Sequence, residues 1–431
     1  MKKRLHGVVG ALLSLSMASQ AFALGTASYS SELISSKSLG MGGVGTAGAT
    51  DDVDASYTNP AALTALPGTQ VTIGGTYVNA KPAFTDAATG DVTGARATSV
   101  FIPNFGVSTQ LLGGKLAAGL SVVTPYGLET HWDGDSPMRY AATDARLRII
   151  DITPAVAYKV CDAFSVGAGA DYYDTTDGQL ARSVNLSGFG QPDAHSNMNA
   201  TGGGWGYHMG VTLKPNEQNQ IGLVYHSNVK MNLTGNLLVS GFNPGVFGVS
   251  QVTANVAAPV FIPQNLQLGY AYKPNDKWTI EADAAWYDWY AARQLGIAFT
   301  NVSAGGAALV GTGSTTNFNP RNTLNFAVGA NYKASDVLQV RGGAYYEAAS
   351  LPETAFDPAF ADMPRYGLTV GGTYAFTSAF SADLAYNAVF FHSRSINGTQ
   401  NVNGNEGYSG SFSSFANIVS ANLNYKFDTH F

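Results

Sequence analysis

Ile150-Asp-Ile-Thr-Pro-Ala-Val-Ala-Tyr-Lys159 and Phe164-Ser-Val-Gly-Ala-Gly-Ala-Asp-Tyr-Tyr173 flank a short polar turn at Cys161-Asp162. In the first segment Ile150, Ile152, Pro154, Val156 and Tyr158 alternate with Asp151, Thr153, Ala155, Ala157 and Lys159. In the second, Phe164, Val166, Ala168, Ala170 and Tyr172 alternate with Ser165, Gly167, Gly169, Asp171 and Tyr173. A β-strand sends successive side chains to opposite faces, so each segment has one apolar face and one polar face. The pattern recurs: Trp278, Ile280, Ala282, Ala284 and Trp286 oppose Thr279, Glu281, Asp283, Ala285 and Tyr287. Leu338, Val340, Ala344 and Tyr346 oppose Gln339, Arg341, Tyr345 and Glu347. Alternating segments of about ten residues are the mark of a membrane-spanning barrel. At mid-depth a lipid-facing Lys or Arg costs ~2–4 kcal/mol, so the charged face is expected to look into a lumen.

Outward from these strands, short turns alternate with long connections. The short ones are Gly113-Gly114, Cys161-Asp162, 215–219, Pro274-Asn275-Asp276, Ala334-Ser335-Asp336 and Thr377-Ser378. The long ones lie near 80–95, 125–142, 178–200, 233–252, 291–319, 349–363 and 394–409. Six short and seven long connections join fourteen strands, an even number that leaves both chain ends on the periplasmic side. Trp278 and Trp286 share a face eight residues apart, ~26 Å along a strand, or ~20 Å of height after a ~40° tilt. That spacing suits two aromatic girdles. The chain ends Val419-Ser-Ala-Asn-Leu-Asn-Tyr-Lys-Phe427-Asp-Thr-His-Phe431. This alternating close on a terminal Phe resembles the signal by which outer-membrane barrels reach their assembly machinery.

Composition agrees. Of 431 residues 12% are charged, half the ~25% of a soluble protein. No run of eighteen apolar residues offers a spanning helix. One Cys excludes a disulfide framework or a Cys-based metal site. A net charge of -6 argues against a nucleic-acid partner. Lys2, Lys3 and Arg4, the apolar run 8–17 and Ala21-Phe22-Ala23 read as a secretory leader over residues 1–23.

Residues 24–68 form a separate unit ahead of the barrel at 69–431. This stretch is rich in Gly, Ala and Ser and lacks strand alternation. A fourteen-stranded barrel is too wide for its wall side chains to fill, so it is an open pore unless something plugs it. Asn59 can cap a helix, Pro60 suits its first position ahead of Ala61, and Pro67-Gly68 stops it. A space-filling helix and a plug bonded to the wall both remain open here.

The order of motifs resembles the FadL/TodX family of outer-membrane transporters. Carrying it are Ser38-Leu-Gly-Met-Gly-Gly-Val-Gly-Thr-Ala-Gly48, Asp51-Asp52, Asn59-Pro60-Ala61, Pro125-Tyr-Gly-Leu-Glu-Thr130 and Arg139-Tyr140. Tyr225-His226, Pro263-Gln-Asn-Leu266 and Trp286-Tyr-Asp-Trp289 continue it. The resemblance implies passive uptake of hydrophobic molecules, foremost long-chain fatty acids. Loops capture the substrate, a pocket binds it, the N-terminal hatch shifts, and it leaves through a gap in the wall at a kinked third strand. That strand lies near 115–124, with Gly119 or Pro125 marking the irregularity. Arg321 matches one carboxylate-holding cation of the family by position, and Arg182 the other after a gap. For Arg182 a loop charge in water is the simpler reading. The capture groove falls on loops carrying Phe189, Leu237, Leu238, Val239, Phe242, Val246 and Phe247. Implied partners are the substrate, outer-membrane lipid and lipopolysaccharide, and the chain is expected to be a monomer in a Gram-negative outer membrane.

Other signals lead elsewhere. Gly40-Met-Gly-Gly-Val-Gly45 fits G-x-G-x-x-G but follows no strand, which argues against a nucleotide site. The seven His lack metal-ligand spacing, and His226 reads as a satisfied lumen residue. Cys161 reads as an idle turn thiol. No EF-hand spacing appears among the loop acids. No catalytic residue, metal or cofactor is expected. Uptake of aromatic hydrocarbons or general porin activity are the alternative functions; an outer-membrane lipase or a surface adhesin is a more distant one.

Overall fold

The computed structural model describes residues 34–48, 52–397 and 409–427. The leader at 1–23, Asp51 and the terminal Phe431 lie outside the described residues. Fourteen strands follow in chain order: β1 Thr69–Ala80, β2 Thr98–Leu111, β3 Leu116–Thr130, β4 Asp144–Cys161, β5 Phe164–Val184, β6 Ala194–Asn216. Then come β7 (Asn219–His226 and Val229–Ser240), β8 (Gln251–Ile262 and Asn265–Asn275), β9 Trp278–Tyr287, β10 Thr323–Lys333, β11 Leu338–Glu347, β12 Arg365–Ala375, β13 Phe380–Phe391 and β14 Phe415–Phe427. Each pairs antiparallel with its neighbour, and β14 returns to β1 from Thr69↔Phe427 through Ala80↔Ala416. The β14–β1 pairing leaves the sheet without a free first or last strand, the condition for a sheet to sit in hydrocarbon.

The expected alternation holds. Val156, Tyr158, Trp278, Ile280, Leu338, Val340 and Tyr346 are exposed on the outer face, whereas Asp151, Asp171, Glu281 and Arg341 are buried inside. The walls stand taller than the sequence suggests. Much of 178–200 and 233–252 is strand, with β5 running to Val184 and β6 starting at Ala194. Their Gly, Asn and Ser content reads as loop, but pairing with tall neighbours decides. Segments Gln294–Thr300 and Gly313–Asn317 likewise extend β9 and β10 upward. Above the rim, Ala83–Asp86, Val92–Gly94, Arg394–Asn397 and Ser409–Ser413 form a four-stranded sheet. Its Phe84 and Phe412 pack with Trp132 and Phe356.

The N-terminal segment lies against lumen-facing wall residues. It holds α1 (Ser36–Gly40), capped by the Ser35 hydroxyl, α2 (Ala55–Thr58), and a 3-10 turn Pro60–Ala65. Asn59 Oδ1 accepts from Ala61 N (3.1 Å) as that turn's cap, while its amide donates to Thr46 O (2.7 Å) and to Val211 O of the wall (3.2 Å). Backbone N–H groups of Gly45 and Thr46 donate to Asp283 (3.0 Å each) and that of Ala47 to Glu281 (2.6 Å). Ser36 meets Ser420 and Asn422 of β14 on another side of the cylinder (2.8 and 2.7 Å). Of the two readings of this segment, the wall-bonded plug is the one observed. Wall glycines make room for it: a Cβ on Gly222 would land on Thr46 O, and one on Gly210 on Asn59 Oδ1.

Candidate functional site

β2 and β3 pair only from Leu111↔Leu116 to Phe105↔Val122. Above that point they part, and they rejoin at the rim through the Arg96↔His131 bridge and a Thr98 hydroxyl donating to Glu129 O (3.1 Å). Between lies a window in the wall. Its cause is local. Against β4 the register steps from Val123↔Asp151 to Tyr126↔Ile149, so β3 carries one extra residue, a β-bulge at Thr124-Pro125. Pro125 has no N–H to offer β2, and Pro103 faces the same gap from β2. Gly119, the other sequence candidate, is not at the irregularity. It lies in the paired stretch, where a Cβ would strike Ser56 and Leu63 of the plug.

A cavity of about 390 Å³ opens through this window. Phe101, Ile102 and Leu128 line it from the wall, and Phe360, Met363 and Phe391 from within. Phe101 is 66% exposed, so the cavity is continuous with the lipid face. Glu129, Arg148 and Arg365 edge it. Arg148 donates to Glu129 (2.7 Å) and Arg365 to Glu347 (2.7 Å). Glu129 also meets His131 (2.9 Å), and Arg146 links Asp144 and Asp177 (2.9 and 3.2 Å), making a charged lintel above the opening. The sequence offered one pointer to these residues, a proline inside each of two adjacent strands.

A second, open groove of about 680 Å³ lies at the extracellular surface, with Arg321, His392 and Arg394 along it. Arg321 is exposed there and not enclosed in the barrel. Its backbone N–H donates to Ser350 O (2.8 Å). Arg394 is half-buried and donates to Asp362 O (2.6 Å); burial pushes its guanidinium down, with the Arg321 charge adding to that. Arg182 is no loop charge in water. It is 4% exposed at the top of β5, close enough to Asp357 for its charge to act on that carboxyl. Burial pushes Asp357 up to about 7, against the pull of the Ala359 N–H and of Arg182. The environments expected for the two arginines are thus exchanged, because the connection 348–364 folds inward over Arg182.

That connection divides the two spaces. Its Leu351, Pro352 and Glu353 wall the groove, and its Phe360 and Met363 wall the window cavity. Asp362 fastens it by accepting from Ser350 N (2.9 Å) and Leu351 N (2.8 Å), and Trp132 donates to Pro358 O (3.1 Å). Phe242 and Phe247 are 4% and 3% exposed and do not form an open greasy groove. Phe247 packs on Phe189 (5.5 Å) and Phe242 (5.3 Å), so these loop aromatics close on one another. Leu238 and Val246 stay exposed.

The family model described as outer membrane protein transport protein (OMPP1/FadL/TodX) matches residues 14–427. The chain belongs to this family. The long-chain fatty acid transport protein of Escherichia coli O6:H1 is 23% identical, over 91% of this chain and 93% of its own. The solved structure of a Pseudomonas aeruginosa FadL homologue superposes with a TM-score of 0.81 at 22% identity, covering 92% of this chain and 98% of that one. The Pseudomonas putida toluene transporter TodX gives 0.72 at 19%, covering 93% and 100%. The fold is therefore that of the FadL barrels. As a FadL/TodX-family member the protein is an outer-membrane transporter of hydrophobic compounds in a Gram-negative bacterium and not an enzyme.

Proposed function

We propose that the protein moves long-chain fatty acids passively from the extracellular groove to the lipid-facing window. The carrying observation is the apolar cavity that opens sideways between β2 and β3. Lateral release suits the cargo, since an aqueous exit gives an apolar chain no favourable environment. Arg321 and Arg394 attract the carboxylate at the mouth. Arg182, beside the 348–364 connection, meets the head group as that connection moves aside. Phe242 and Phe247 form the apolar loop surface along which the chain is guided once the loops part. The plug then shifts to complete the path. The fatty-acid transport protein among the relatives supports this cargo.

Uptake of monoaromatic hydrocarbons is the second reading. What favours it is that Arg148 and Arg365, the cations at the window cavity, already face Glu129 and Glu347. A neutral cargo has no need of them. The relative that transports toluene supports this reading. Proteoliposomes separate the two. Faster entry of oleate than of toluene, with little ion conductance, is expected. Faster toluene entry reverses the cargo assignment, and a large steady conductance overturns both in favour of a porin.

A further inference from the structure

Asp171 on β5, His208 on β6 and His226 on β7 are all buried, and each offers a ligand atom within 4.8 Å of the others. They are 18 and more residues apart in sequence, and the sheet brings them together: His208 stands opposite His226, and the rings stack at 5.0 Å. Two observations besides the geometry ask for a ligand. His208 is held with Nε2 2.8 Å from the plug carbonyl Ser56 O and Nδ1 2.7 Å from Asp171 Oδ1, which also receives the Thr153 hydroxyl (2.9 Å). Neither ring nitrogen of His226 makes a well-formed hydrogen bond, the Tyr57 backbone being the one hydrogen-bonding group that acts on the ring, at longer range. Asp151, coupled by charge to Asp171, has no well-formed hydrogen bond on either carboxyl oxygen and only the Tyr173 hydroxyl near it. Buried polar atoms are rarely left without a well-formed hydrogen bond.

We propose that Asp171, His208 Nδ1 and a nitrogen of His226 bind a divalent transition-metal ion, with Zn²⁺ as the occupant. Imidazole with carboxylate is a donor set for that ion. The Asp151 carboxylate balances its charge. Ser56 O on Nε2–H and the Thr153 hydroxyl on Asp171 orient the ligands, as carbonyls and hydroxyls do around metal-bound histidines. Two of these neighbours belong to the plug: the Ser56 carbonyl, and the ring of Tyr57, 4.8 Å from His226. An ion there sits directly beneath α2 and links plug position to metal occupancy.

The test uses the full-length protein in detergent micelles after metal stripping. Zn²⁺ is titrated against a chromophoric chelator, and Co²⁺ binding is followed by visible absorption. One Zn²⁺ per chain and a Co²⁺ band are expected, with affinity at least about tenfold weaker in His226→Gln and in Asp171→Asn. His226→Gln keeps a polar side chain of similar length at this position, so it should keep the heat-modifiable gel mobility of a folded barrel. Equal Zn²⁺ binding by the wild type and a folded His208→Gln/His226→Gln variant would overturn the site, as would no Co²⁺ band in the wild type.

Discussion

Gly222 and Gly210 show how little volume holds the plug in place. Each lies under a plug atom where a Cβ cannot fit, and overpacking of this kind costs roughly 1–3 kcal/mol. Gly222→Ala should leave the barrel folded but loosen the plug, read as higher and noisier conductance in planar bilayers. Gly188→Ala, with nothing within 4 Å, is the matched control. Asp357 gives a second residue-scale expectation. Its carboxyl sits at about 7 when the 348–364 connection is docked and near 3.8 when it is free. The docked state therefore binds the proton more tightly, and docking weakens as pH rises from about 4 to above 7. Amide exchange over 348–364, corrected for intrinsic rate, should show less protection at pH 8 than at pH 5. Asp357→Asn should flatten the difference.

At the scale of elements, one added residue in β3 makes the difference between a wall and a doorway. Deleting Pro125 removes the bulge and lets β3 pair with β2 above Val122. The deletion should cut hydrophobic uptake in proteoliposomes to near background while gel mobility stays that of a folded barrel. Unchanged uptake would mean that cargo leaves elsewhere. The family resemblance implied a kinked third strand, with Gly119 or Pro125 as its mark. The bulge lies at Pro125, where proline has no N–H for the ladder, whereas Gly119 makes room for the plug. The arginines show a similar limit. Arg182 lies in a polar, glycine-containing stretch that reads as loop, and its burial comes from a connection more than 160 residues further along the chain.

For the whole molecule, a closed cylinder needs a stopper, and the stopper is bonded to many strands around its circumference. Asp283 and Glu281 on β9, Val211 on β6 and Ser420 on β14 all hold it. Removing residues 34–66 should leave a membrane-inserted barrel with several-fold higher conductance, measured on single channels. No change would place the conductance barrier in the extracellular loops instead.

The sequence alone determined the barrel, the direction in which its side chains face and the number of strands; that the N-terminal segment is bonded to the wall as a plug came from the tertiary structure. Period-two alternation and turn spacing are local properties, and lipid makes the penalty for reversing them large. Tertiary structure decided where the window opens, which arginine is buried, that Phe242 and Phe247 close on one another, and that His208 meets His226. Each of these depends on strand register or on a loop folding back across the lumen, and contacts between distant residues leave no periodic trace in the chain.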